Sequence, residues 1–195
     1  PQRTDRILSE YKEQGCGGVF IHPRLGLITE YLSPTWNEMV KYTVDKGRDL
    51  GLEVWLYDEN SYPSGFAGGH VPREMPEAFN RGQGLKPTAA DTMPADVSKY
   101  FVIVAEEDGK FENVTGRAAS MAGRPGRFYL YEKTFYQPSP WYAGGPYVDL
   151  LAHGVTDKFM EITMQGYEKT FGGDLKGNVK GVFTDEPEIV SPGGV

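Results

Sequence analysis

Two stretches of this sequence end an apolar run on adjacent carboxylates, and they restrict the fold more than any other feature. "EVWLYDENSYPSGFAGG" runs from Glu53 to Gly69, and "VKGVFTDEPEIV" repeats the pattern at Asp185 and Glu186. Unpaired charge is costly to bring near a core. A strand that reads as buried therefore ends on such a pair where it opens onto a solvated loop, a cap or a site. In parallel α/β folds the loops leaving the carboxyl ends of strands gather at one face, and sites are built there.

The surrounding pattern predicts parallel strands. "GCGGVFIHP" carries the short apolar run Val19 to Ile21 after a glycine cluster, the form of a strand covered on both faces. A helix follows in "SPTWNEMVKYTVDKGRDLG", opened either by Ser33 with Pro34 at the first helical position or by a Thr35/Glu38 capping box. Trp36, Val40, Val44 and Gly47, with Met39 and Leu50 alongside, share its apolar face, and Gly51 stops it. The strand "EVWLY" completes a βαβ unit over residues 1–61. The same grammar returns over 148–195, where Val155, Phe159, Ile162, Tyr167 and Phe171 precede Gly172, Gly173 and the strand before "TDEP".

Residues 62–147 read differently. "KYFVIVAEEDGKFENVT" is a hairpin turning at Asp108 and Gly109, "GRFYLYEKTFY" is a further strand, and "RGQGLKPTAADTMPAD" and "PSPWYAGGP" read as loops. The expected fold is a partial (β/α)8 TIM-type barrel with a β-rich insertion between its second and fourth strands; "FYLYE" is read either as the third barrel strand or as part of that insertion, and "VFTDE" as the fourth strand. The chain ends just after a strand, which reads as a segment of a larger domain.

Charge and cysteine content narrow the chemistry. The net charge of -7 comes without any block of Lys and Arg, so the electrostatic footprint of a nucleic-acid or membrane-surface binder is missing. Cys16 is the single cysteine, read as a small packed residue, and three scattered histidines make no zinc pattern. No cofactor-binding motif is evident.

His22, Arg24, Asp58, Glu59, Asp185 and Glu186 all fall at strand ends, and their convergence argues for one site. Carboxylates beside aromatics, with no phosphate loop, suit general acid/base chemistry on an uncharged polar substrate, of which glycoside hydrolysis is the commonest case. Tyr62 in the "NSYPSG" loop, Trp141 with Tyr142, and Asp149 in "YVDLL" are further substrate-binding candidates. Asp58 and Glu59 are candidates for sugar hydroxyls or a calcium ion.

These segments together resemble the catalytic domain of α-L-rhamnosidases of glycoside hydrolase family 106 and their relatives. The likeness rests on "GLEVWLYDENSYPSGFAGG", "GCGGVFIHPRLGLITEYLSPTW" and "YVDLLAHGVTDKFMEI" with "VKGVFTDEPEI". The resemblance implies a secreted or periplasmic multidomain enzyme acting on plant or bacterial polysaccharides, with inversion at the anomeric carbon and optional help from Ca2+. Its partners are then the saccharide substrate and the other domains of the parent chain. The "TDEP" motif resembles the fourth-strand motif of barrel glycosidases, which makes Glu186 the candidate general acid and Asp185 its substrate-binding neighbour. On that reading the second catalytic carboxylate lies beyond this sequence. The alternatives at this stage are a carbohydrate-binding barrel domain without turnover and a metal-assisted barrel isomerase or lyase.

Overall fold

The computed structural model describes residues 1–81, 84–135 and 137–189. The chain divides into two compact units, Pro1–Asn80 with Gln137–Ile189, and Arg81–Tyr136. The second is narrower than the 62–147 stretch marked out by composition.

The first unit is built on three parallel strands in the order β1-β2-β7: β1 Gly18–Ile21, β2 Glu53–Tyr57 and β7 Gly181–Phe183. Helix α1 (Gln2–Glu13) precedes them, and α2 (Pro34–Asp49) makes the crossover from β1 to β2. Ser33 is the cap, its Oγ accepting from the Trp36 N–H at 3.2 Å, with Pro34 as first helical residue. Trp36, Val40, Val44 and Gly47 are the buried residues of α2, as the spacing requires.

Between residues 155 and 170 the chain forms one helical run: α4 (Val155–Phe159), a π turn (Met160–Met164) and α5 (Gln165–Thr170). In an unbroken α-helix Tyr167 would sit roughly 120° round from Val155. The extra residue of a π turn takes back about 100° of that. Val155 and Phe159 thus pack with Phe66, Val71 and Tyr147, while Tyr167 and Phe171 pack against Val54, Leu56 and Trp36 beside the sheet. The Trp36 indole N–H donates to Tyr167 Oη at 3.0 Å, tying α2 to α5.

The other side of the sheet is aromatic. Phe20, Trp55 and Phe183 alternate with the residues that face the helices, with ring centroids 5.6 Å apart for Phe20 and Trp55 and 6.0 Å for Phe20 and Phe183. Gly181 is required here, because a Cβ on it would lie 2.2 Å from the Trp55 ring. Phe20 remains 55% and Phe183 41% exposed.

This sheet is open, and the partial (β/α)8 barrel is not the fold: no closed barrel exists among the described residues. The "TDEP" strand pairs directly with β2, so it is the third parallel strand and not a fourth. The segment read as a third barrel strand or as part of the insertion, "FYLYE", lies in β6 (Pro125–Thr134) of the second unit. That unit is an antiparallel sheet in the order β3-β6-β4-β5, with β3 Gly84–Thr92, β4 Tyr100–Glu107 and β5 Lys110–Asn113. The reason is visible in β6, where buried Phe128 and Leu130 alternate with more exposed Arg127, Tyr129 and Tyr131. Such alternation suits a sheet packed on one face, not a parallel strand covered on both. Met93, Ile103, Val114, Ala118, Phe128 and Leu130 form its core.

In the middle region one reading holds and one changes. Asp108 and Gly109, at φ 49° and 73°, form the two-residue turn between β4 and β5. "GLKPTAADT", read as loop, is strand β3. Its composition is poor for a strand, but it lies at the sheet edge, where Pro87 is tolerated, and its ladder with β6 holds it. Among the described residues no helix is long and apolar enough to cross a membrane. Cys16, ahead of β1, is partly exposed and not packed away.

Candidate functional site

The carboxyl ends of β1, β2 and β7 do bring polar side chains together, in two sets. One lines an open groove of about 640 Å³: Arg24, Tyr62, Trp141, Tyr142, Asp185 and Glu186. This volume falls within the roughly 300–1,000 Å³ of small-molecule sites. The other set, Tyr57, Asp58, Glu59 and Ser64, is buried and braces the loops that carry the first.

Glu59 organises the loop after β2. Its Oε2 accepts the backbone N–H groups of Gly65 (3.0 Å), Phe66 (3.0 Å) and Ala67 (2.8 Å), and its Oε1 accepts those of Asn60 (2.8 Å) and Gly68. Five orphan donors of one tight loop are thereby met by a single carboxylate. Gly65 permits the close packing, since a Cβ there would lie 2.7 Å from Tyr147 Oη, and its φ is 138°. Full burial works against the charge and outweighs the N–H donors, which pull the other way, so that the carboxyl is raised to about 8. Glu59 is thus a structural anchor, fully buried, and not one of the groove residues.

Asp58 plays a similar part between two loops. Its Oδ1 accepts from Ser64 Oγ and its Oδ2 from Thr184 Oγ1, each at 2.6 Å, and burial pushes its carboxyl above the usual range. Ser64 Oγ in turn accepts the Asp185 N–H at 2.9 Å, and the Ser64 N–H donates to the Asp185 carbonyl at 2.9 Å. The loop after β2 and the turn after β7 are therefore stitched together. With their oxygens engaged by these donors, Asp58 and Glu59 do not fit the calcium ligation considered for them. Among the described residues no three His, Cys, Asp or Glu side chains converge on one point.

Asp185 and Glu186 differ in setting. Asp185 Oδ2 lies 3.4 Å from an Arg24 guanidinium nitrogen and 3.3 Å from the buried Tyr57 hydroxyl, whose hydrogen is donated to the Ser61 carbonyl at 2.6 Å. Arg24 also donates to the Ser61 carbonyl at 3.1 Å and lies over the Tyr57 ring, 5.4 Å from its centroid. Burial, with Asp185 alongside, holds the Tyr57 phenol above its ordinary range, which keeps it a donor. Glu186 is exposed to the groove on a backbone at φ 41°, an uncommon value for a residue with a side chain. Tyr62 donates its phenol hydrogen to Glu186 Oε2, and that bond is the main cause pushing the phenol up to about 12.

Of the sequence candidates, Arg24, Tyr62, Trp141, Asp185 and Glu186 share the groove. His22 sits beside it, its ring 4.1 Å from that of Tyr57, and burial followed by the Arg24 charge lowers its pKa. Asp149 lies apart: its Oδ1 accepts the Leu151 N–H at 3.0 Å and its own N–H donates to the Ala78 carbonyl at 2.7 Å, a local turn. Tyr57 and Thr184 were missed. Their position, one residue before each carboxylate pair, was the available signal.

Comparison with family models, with curated proteins and with solved structures finds no match to this chain. A functional reading therefore rests on the residues themselves.

Proposed function

We propose that the groove belongs to a glycoside hydrolase, α-L-rhamnosidase-like in its sequence motifs, with Glu186 as the general acid. The observation that carries this reading is the groove's lining, two carboxylates facing aromatic Trp141 and Tyr142 in one open cleft. Aromatic rings stack on the apolar faces of sugars, and carboxylates bond their hydroxyls and move the proton that glycoside cleavage needs. Asp185, paired with Arg24, is an acceptor for substrate hydroxyls. Glu186, exposed at the tip of the turn, can reach a leaving-group oxygen.

The test uses the full parent protein with a panel of aryl α-L-rhamnosides and other aryl glycosides, beside calorimetry with the free sugars. Cleavage of at least one member that is lost in Glu186→Gln supports the reading. Sugar binding by calorimetry with no cleavage across the panel replaces it with a binding groove.

A further inference from the structure

Glu186 is the candidate acid, yet its exposure gives it none of the burial that usually tunes such a group. What it has is Tyr62. This tyrosine rides on the loop that Glu59 gathers through five N–H bonds and that Ser64 fastens to the Asp185 backbone. Its side chain is half-buried, and its hydroxyl donates to Glu186 Oε2. The backbone of Glu186 is itself fixed at positive φ ahead of Pro187. Both ends of the contact are thus held by the fold, independently of any substrate.

We infer that Tyr62 is a positioning residue for Glu186: by bonding Oε2 it fixes the carboxyl's orientation, leaves Oε1 to carry the transferable proton, and sets the acid's strength. The inference rests on the glycosidase reading only for its kinetic consequence. A hydrogen bond to a carboxylate is stronger than one to the neutral acid. As Glu186 gives its proton to the leaving oxygen, the Tyr62 bond therefore tightens, and proton donation is favoured. The high pKa of the phenol keeps Tyr62 a donor throughout the working range.

Other charges face the same carboxyl. Asp185 and Glu188 come from its own turn, and Arg24 comes from the loop after β1, its guanidinium engaged by Asp185 at 3.4 Å. From the 140–142 turn come Trp141 and the phenol of Tyr142, both uncharged in the working range. Among these groups Tyr62 is the one hydrogen-bonded to Glu186.

The experiment is a 13C NMR titration of the Glu186 side-chain carboxyl in the wild-type chain and in Tyr62→Phe, with Glu186→Gln to assign the resonance. Loss of the donor should raise the Glu186 midpoint by about half to one pH unit, the worth of one charge-favouring hydrogen bond. Site-specific replacement of Tyr62 by 3-fluorotyrosine, a stronger donor of the same shape, should lower it. In the full parent enzyme the alkaline limb of kcat/KM should follow each shift, and Tyr62→Phe should slow a poor leaving group about tenfold more than an activated aryl one. An unchanged midpoint in both variants overturns the inference, as does an equal loss on both leaving groups. If the midpoints move as stated while the wild type cleaves no glycoside, the Tyr62–Glu186 pairing stands and the glycosidase reading falls.

Discussion

Replacing Glu59 by Gln changes one oxygen to an NH2 group and little else, so its effect can be worked from the five bonds in the structure. Three N–H donors meet Oε2 and two meet Oε1. An amide retains one carbonyl oxygen, so one orientation strands the two part-buried donors of Asn60 and Gly68 and the other the three buried donors of Gly65, Phe66 and Ala67 against an NH2. Each unsatisfied buried donor costs about 1–3 kcal/mol, which gives a total of roughly 2–9 kcal/mol. Against a typical stability of about 5–15 kcal/mol this is a large share. The assay is guanidinium denaturation of wild type and Glu59→Gln followed by circular dichroism, with the midpoint falling sharply in the variant.

The opposing argument is burial, which raises the carboxyl to about 8 even with the N–H donors pulling the other way. The argument for the charged form is geometric: a neutral acid must set an O–H against the same N–H donors. The two views differ in sign. A folded pKa near 8 against an ordinary 4.5 means that the native state holds the extra proton between those values, so stability would fall as pH rises from 4.5 to 8. Gln, a mimic of the neutral acid, would then be harmless. A variant within about 1 kcal/mol of wild type, together with wild-type stability declining over that window, would refute the account of Glu59 given above.

Three further outcomes are expected. Gly181→Ala places a methyl group 2.2 Å from the Trp55 ring and should lower stability by about 1–3 kcal/mol, read as a drop in the denaturation midpoint; an unchanged midpoint would mean that the ring has room to move. His22 should titrate below 6.5 by NMR because burial and then the Arg24 charge disfavour its cation, and Arg24→Gln should bring it part of the way back up. A depressed His pKa means the unfolded state binds the proton first, so His22's contribution to stability is present above pH 6.5 and diminishes as pH falls below it. On the glycosidase reading proposed above, Glu186→Gln should slow cleavage of a poor leaving group by about 10² to 10⁴-fold and an activated aryl one by less; equal loss on both would assign Glu186 to binding or folding.

What the sequence alone determined is local. The Ser33 cap with Pro34, the buried face of α2 and the Asp108–Gly109 turn follow from backbone sterics and side-chain period within a few residues, and those forces act wherever the segment sits. The gathering of Arg24, Tyr62, Trp141, Asp185 and Glu186 was legible too, because parallel strands deliver their carboxyl ends to one side. Only tertiary structure decided which strands meet. β7 lies directly beside β2 and β6 pairs antiparallel elsewhere, since strand partnership depends on contacts far apart in sequence and not on the strand's own propensity. It also divided two adjacent carboxylate pairs into different roles. Asp58 and Glu59 turn inward, where hydroxyl and N–H donors from residues 60–68 and Thr184 hold them, while Glu186 stays in the groove. The residue types are the same at both strand ends, and the donors that the folded loops bring to each carboxylate set the difference.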